Sequence, residues 1–242
     1  MSTVPPVASV LDLPVHVLPD YAGCLIEQIV SGHGGHVVTL NAEMAMLARQ
    51  EPNLASLICR AELVVPDGAG VVWAMRFQGR RVQRCAGIDL VSAVLPELAR
   101  RRTRVFLLGA APGVTEAVAG QWSRQYPGLI LCGQHDGYFT EADEVRLREQ
   151  LQAGNPQVIL VGLGVPKQEF WIERTRSYLP TTVFVGVGGS FDIWAGTKER
   201  APKWLRENHL EWFYRLVKEP WRWRRMLALP KFALAILRRG LP

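Results

Sequence analysis

Hydrophobic positions along the chain follow two alternating patterns. Short runs are apolar throughout: "HVVTL" (36–40), "AELVV" (61–65), "RVFLLG" (104–109), "LILCG" (129–133), "QVILVGLG" (157–164) and "TVFVGVGG" (182–189). Such β-branched runs are strands buried on both faces. Between them, helical stretches are expected over 42–50, 88–101, 113–125, 141–152 and 167–178, with one more beginning near Ala69. Strands that alternate with helices predict an α/β fold, a Rossmann-like and mostly parallel sheet with helices on both faces. No internal repeat or low-complexity linker interrupts it.

Composition changes sharply near Thr197. From Lys198 onward there are twelve Lys/Arg against four Asp/Glu, a local +8 in a chain of net charge +6. The same stretch holds Trp204, Trp212, Trp221 and Trp223, four of the eight tryptophans. Basic residues can meet nucleic acid, anionic lipid or a phosphorylated substrate. The interleaved tryptophans favour a membrane interface. A nucleic-acid module would need aromatic platforms on a sheet face, whereas these aromatics lie on expected helices. The division expected is a catalytic α/β domain over 1–196 and a helical, basic and aromatic appendage over 197–242. The alternative is a pair of helices packed on the core through Trp204, Trp212 and Leu216, with charges merely solvated. An exposed apolar tail can also pair with a second copy where no membrane is present.

Three further features narrow the class. "MSTVPPVAS" at the start is polar and Pro-rich, and is expected to be disordered. The four cysteines (Cys24, Cys59, Cys85, Cys132) are scattered, without a CxxC pair, and read as buried thiols. No signal peptide is visible, and no run of about 18 apolar residues is present to span a bilayer.

In open parallel sheets, ligands sit beyond the carboxyl ends of the strands. There the chain places Thr39 and Asn41, then "PDG" (66–68), "GAAPG" (109–113), "GQHDGYF" (133–139), "VPKQE" (165–169) and "GGSFD" (188–192). Gly109, Gly162 and Gly164 allow close backbone approach, and helix N-termini favour anions, so a nucleotide diphosphate suits this edge. The alternative is a set of ordinary tight turns. There is no Walker motif, and "GLGVPKQ" has the wrong spacing for GxGxxG, which disfavours a P-loop ATPase or a simple NAD enzyme. Asp67 can act as a general base or cap the helix near Ala69. Thr39 and Asn41 can hold a sugar hydroxyl or a phosphate, or cap the helix at 42–50. Gln168 can donate to a phosphate or sit in a solvated first turn. Arg84 can neutralise a leaving diphosphate or be one more surface arginine.

Together these pieces resemble the WecG/TagA/CpsF glycosyltransferase family. The resemblance is carried by "TLN" (39–41), "VPDGAGVVW" (65–73), "RCAGIDL" (84–90), "VFLLGAAPGV" (105–114), "YPGL" (126–129), "DGYF" (136–139), "VGLGVPKQEFW" (161–171), "GVGGSFDIWAG" (186–196), "RAPKW" (200–204) and "EWFYRLVKEPWRWRR" (211–225). It covers roughly 36 to 230. Cys85 stands where the family more often has an aliphatic residue.

The resemblance implies an inverting, metal-independent glycosyltransferase. The hexose would be N-acetylmannosamine, its uronic acid or glucose. It would pass from a UDP-sugar to a polyprenyl-diphosphate-linked acceptor, at the cytoplasmic face of the membrane, in exopolysaccharide, teichoic acid or surface-antigen assembly. No cofactor and no metal are expected. By resemblance, Asp67 is the base, Thr39 and Asn41 lie beside the reaction centre, and Arg84, Gln168 and Tyr138 lie near the donor diphosphate. Asp192 is on the nucleotide side. Arg215, Arg222 and Arg225 complete the site from the appendage. Beside what the resemblance implies, Trp212, Trp221, Trp223, Leu227 and Phe232 can lie at headgroup level. The alternatives are a nucleotide-sugar enzyme acting on a soluble substrate and a non-enzymatic membrane scaffold.

Overall fold

A computed structural model describes residues 6–239. The chain opens with β1 (Val7–Val10), β2 (Leu13–His16) and α1 (Tyr21–Ser31). Then follow β3 (Gly35–Leu40), α2 (Ala42–Ala48), α3 (Pro52–Cys59), β4 (Leu63–Pro66), α4 (Ala69–Phe77) and α5 (Gly87–Arg100). The second half brings β5 (Arg104–Gly109), α6 (Val114–Gln125), β6 (Ile130–His135), α7 (Glu141–Gly154), β7 (Val158–Gly162), α8 (Lys167–Arg176), β8 (Val183–Gly186) and α9 (Ser190–Trp194). The appendage is α10 (Lys203–Glu207), α11 (Glu211–Lys218), a 3₁₀ turn (Pro220–Arg222), α12 (Trp223–Met226) and α13 (Ala228–Arg239).

Six strands form one parallel sheet in the order β4-β3-β8-β7-β5-β6. Alternate side chains serve opposite faces. Val37, Val65 and Val185 pack beneath α1, α5, α6 and α9, while Val38, Leu40 and Val64 pack beneath α2, α3, α4 and α13. Phe106, Ile159 and Phe184 pack beneath α7 and α8. Both faces are covered, which is why the strands read as continuous apolar runs. In register, Leu40 lies beside Pro66. Asn41 and Asp67 therefore leave the sheet side by side.

The start of the chain departs from the expectation of disorder. Val7–Val10 pairs antiparallel with Leu13–His16, closing a hairpin on the core; Met1–Pro5 of that stretch lie outside the described residues. The appendage departs at particular residues from each of its readings. Phe232 is buried beside Ala42, Met44 and Val71, not held at headgroup level, and Ile236 joins it. Burying each such side chain contributes about 1.5–3 kcal/mol. Trp204 and Trp212 are exposed, whereas Leu216 is half-buried and Leu205 of α10 is buried; the appendage helix that joins the core is α13. Trp221, Trp223 and Leu227 do face solvent. Among the described residues, no helix is long and apolar enough to cross a membrane.

Candidate active site

The carboxyl edge of the sheet is unusually rich in free backbone donors. Helices α4, α5, α6, α8 and α9 begin there, and none is capped by the side chain of its own N-cap residue; at α5 the Gly87 N–H is met instead by the Asp67 carboxyl. Those donors, with the positive ends of the helix dipoles, suit an anionic ligand. Only α2, capped by Asn41, and α7, closed by a Thr140–Asp143 capping box, are internally satisfied.

Asp67 stands where β4 ends. Its N–H donates to the Leu40 carbonyl, which ties it to β3. The helix that follows is capped by Gly68, at φ 84°, with no side-chain bond; Asp67 is therefore not spent as a cap of α4. Burial pushes its carboxyl above the usual carboxylate range. The charges of Arg84 and Arg215 and the Gly87 N–H oppose that rise, and Glu211 adds to it. About a quarter of the side chain remains open to solvent, so a substrate can reach it.

Arg84 arrives on the loop between α4 and α5, which is pinned by a bond from the Cys85 N–H to the Pro66 carbonyl. Its Nη2 lies 3.9 Å from Asp67 Oδ1 and 2.6 Å from Glu211 Oε2. Glu211 is buried at the start of α11 and also holds Arg215 at 3.0 Å, with Arg200 at 3.8 Å. Burial works to raise the Glu211 carboxyl, but the Arg84 hydrogen bond and three guanidinium charges outweigh it and hold it below the usual range. Arg200 spends its fork on Asp89 of α5, at 2.5 and 2.7 Å. The Nε groups of Arg84 and Arg200 are buried without a hydrogen-bond partner. Buried donors left unpaired are costly and mark a place for an acceptor.

A second polar chain runs from α9 into the appendage. Lys198 contacts both Asp192 and Glu219 at 3.0 Å, and Glu219 also pairs with Arg222. Arg225 reaches Glu43 on the first turn of α2 at 2.5 Å. The appendage arginines thus meet three places: Arg215 beside Asp67, Arg222 near Asp192, and Arg225 over the α2 N-terminus.

The other sequence candidates divide. The Thr39 hydroxyl donates to the Gly186 carbonyl at 3.0 Å, and Asn41 Oδ1 caps α2 by accepting from the Met44 N–H at 2.9 Å. Both sit beside Asp67 while doing structural work. Gln168 is neither solvated nor open to the edge. It is 1% exposed, accepts from the Gly188 N–H and donates to Glu169, which contacts His36. Gly109 and Gly162 serve packing: a Cβ on Gly109 would lie 2.5 Å from Gly162 backbone, and one on Gly162 would lie 2.7 Å from the Gly188 oxygen. Gly164, at φ 75°, has open space instead. Tyr138 is 77% exposed, away from Asp67's ion pairs. Sequence reasoning missed Glu211, Arg200 and Asp89. The only signal was that they fall inside the matching segments "EWFYR", "RAPKW" and "RCAGIDL".

Residues 8–242 match the glycosyl transferase WecG/TagA/CpsF family. Two similar proteins carry the name N-acetylglucosaminyldiphosphoundecaprenol N-acetyl-beta-D-mannosaminyltransferase. That of Bacillus spizizenii is 39% identical over 206 residues, covering 85% of this chain and 79% of that protein. That of Bacillus subtilis is 38% identical over 206 residues, covering 85% and 80%. The carboxylate at a strand end, the guanidinium groups around it and a match that runs almost the whole chain lead to one assignment: this protein is a glycosyltransferase and belongs to the WecG/TagA/CpsF family.

Proposed function

We propose that the protein moves an N-acetylmannosamine-type hexose from a UDP-sugar to a sugar carried on polyprenyl diphosphate, with inversion and without a metal ion. The relatives' printed name supports the acceptor and the sugar. The observation that carries the mechanism is Asp67, open at a strand end and 3.9 Å from Arg84.

In this reading the acceptor hydroxyl attacks the anomeric carbon from the face opposite the diphosphate. Its oxygen forms the new glycosidic bond and its proton passes to Asp67. The bond from carbon to the diphosphate oxygen breaks, with its electron pair leaving on UDP. A carboxylate raised by burial is a better base than a free one, and such catalysis contributes about 10²–10⁴-fold. Arg84 and Arg215 meet the leaving charge, since a guanidinium offers several donors and keeps its charge throughout. The uncapped helix starts at β5, β7 and β8 supply further N–H donors to the nucleotide side, where Asp192 belongs.

The appendage, 197–242 in the proposed division, brings Arg215, Arg222 and Arg225 to the body. The exposed side chains of Trp221, Trp223 and Leu227, among arginines, suit a membrane interface. Each basic residue near an anionic leaflet gains about 1 kcal/mol. Docking at the cytoplasmic face would deliver the lipid-linked acceptor.

The test is UDP release from a panel of UDP-sugars, with and without a short-chain polyprenyl-diphosphate-N-acetylglucosamine acceptor, in EDTA. Acceptor-dependent release with UDP-N-acetylmannosamine is the expected result. Release that needs a divalent ion, or that occurs equally on a soluble acceptor, would replace the corresponding part of the reading.

A further inference from the structure

One guanidinium nitrogen of Arg84 has two carboxylates within reach. Nη2 is 2.6 Å from Glu211 Oε2 and 3.9 Å from Asp67 Oδ1. Glu211 wins that competition, and it arrives from the appendage, 127 residues away in sequence from Arg84. Its second oxygen is taken by Arg215 at 3.0 Å, with Arg200 standing at 3.8 Å. The Arg200 fork is already committed to Asp89. Arg84 is therefore the group whose choice of partner decides what Asp67 faces.

We propose that Glu211 is a positioning residue for Asp67: it draws the Arg84 guanidinium away and leaves the Asp67 oxygen open to an incoming hydroxyl. The inference rests on Asp67 being the base. Without Glu211, the nearest carboxylate left to Arg84 is Asp67 itself. A close Arg84–Asp67 pair would occupy the oxygen that must take the proton and would make that oxygen a weaker base. Since Glu211 enters with α11, an undocked appendage leaves the body with its base masked. Docking unmasks it.

The surroundings of Asp67 allow a pH test. Facing it are Arg84 and Cys85 from the loop, the Gly87 N–H of α5, Glu211 and Arg215 of α11, and Arg200 from the segment before α10. Cys85 is pushed up to about 12 by burial, with the charges of Asp67 and Asp89 adding to the rise, and stays neutral across the working range. The guanidinium groups stay charged. Glu211 is held low and stays ionised above the ordinary carboxylate range. The acid limb of kcat/KM therefore reports Asp67. Glu211 raises the Asp67 carboxyl, so its removal moves that limb to lower pH.

The experiment compares pH profiles of kcat/KM for the full chain, Glu211→Gln, Glu211→Asp and Asp67→Asn, using the lipid-linked acceptor. A ¹³C-carboxylate NMR titration without substrate accompanies them, with the Asp67 resonance identified by its loss in Asp67→Asn. For Glu211→Gln the expected result is a limb lowered by about one unit. The plateau falls about ten-fold or more, as a masked, weaker base predicts. Glu211→Asp keeps the charge but not the reach, and moves the limb less, in the same direction. A merely structural Glu211 would lower melting temperature and rate together and leave limb and resonance in place; that outcome overturns the inference. If Glu211→Gln does not fold, Glu211→Asp decides, and an unmoved Asp67 resonance in it sinks the proposal. Asp67→Asn with full activity would instead sink the base reading, whatever Glu211 does.

Discussion

Thr39, Asn41 and Asp67 hang from strands whose inward neighbours are closed to water and, His36 apart, apolar. Arg215, Arg222 and Arg225 hang from short helices that touch the body mainly through charges. Arg84–Glu211, Lys198–Glu219 and Arg225–Glu43 join the two, and among these only the first is largely buried. Exposed pairs contribute about 0–1 kcal/mol each, and salt screens them. Apolar support returns at α13, through Phe232 and Ile236. The proposed base is thus fixed rigidly, whereas the arginines are fixed conditionally. A site assembled this way is tuned by whatever moves the appendage and not by what happens in the sheet.

The largest expected effect tests the rigid side. Asp67→Asn should cut kcat/KM by about 10²–10⁴-fold. It should not lower the melting temperature at pH 7. The folded-state carboxyl is raised by burial, so ionising it above its usual value of about 3.9 works against folding, and the amide removes that penalty. A lowered melting temperature with intact activity would invert the comparison.

Next comes the apolar anchor. Phe232→Ala should cost about 3–5 kcal/mol in denaturant unfolding, as for a buried core aromatic. If it costs under 1 kcal/mol, α13 is no better attached than α11. Salt separates the two kinds of support more gently. Raising it from about 0.1 to 1 M shortens the screening length from about 10 to 3 Å. The expected result is a several-fold loss of kcat/KM with a melting temperature that does not fall. Smallest of all is Arg225→Ala, whose pair with Glu43 is half exposed. It should change stability by less than about 0.5 kcal/mol, measured in urea, while raising the donor KM.

The sheet was readable because a strand buried on both faces is apolar at every position. β5 was found residue for residue; "TVFVGVGG" overran β8 because its glycines continue the apolar run after pairing ends. The β1–β2 hairpin was not readable. Its turn is made by Leu11 and Asp12, at φ 53° and 69°, where hairpin signals call for Asn-Gly or Asp-Gly. At the site, Asp67 and Arg84 were visible because strand ends are local features. Glu211 looked like an ordinary first-turn acid of α11, and nothing local reports a partner so far along the chain. Phe232 misled because an aromatic among leucines and arginines has the same pattern whether it meets lipid or core.

The seat of Phe232 also sets an order of events in time. A Cβ at Gly70 would lie 3.7 Å from its ring, so the two fit closely, yet the ribosome makes Gly70 long before Phe232. At about 5–20 residues per second, roughly 160 residues take on the order of ten seconds or more. Until Phe232 is made, its apolar seat beside Gly70 has no occupant. Glu211 follows the same schedule: it is made roughly 140 residues after Asp67, so the proposed catalytic edge stays incomplete over that stretch of synthesis.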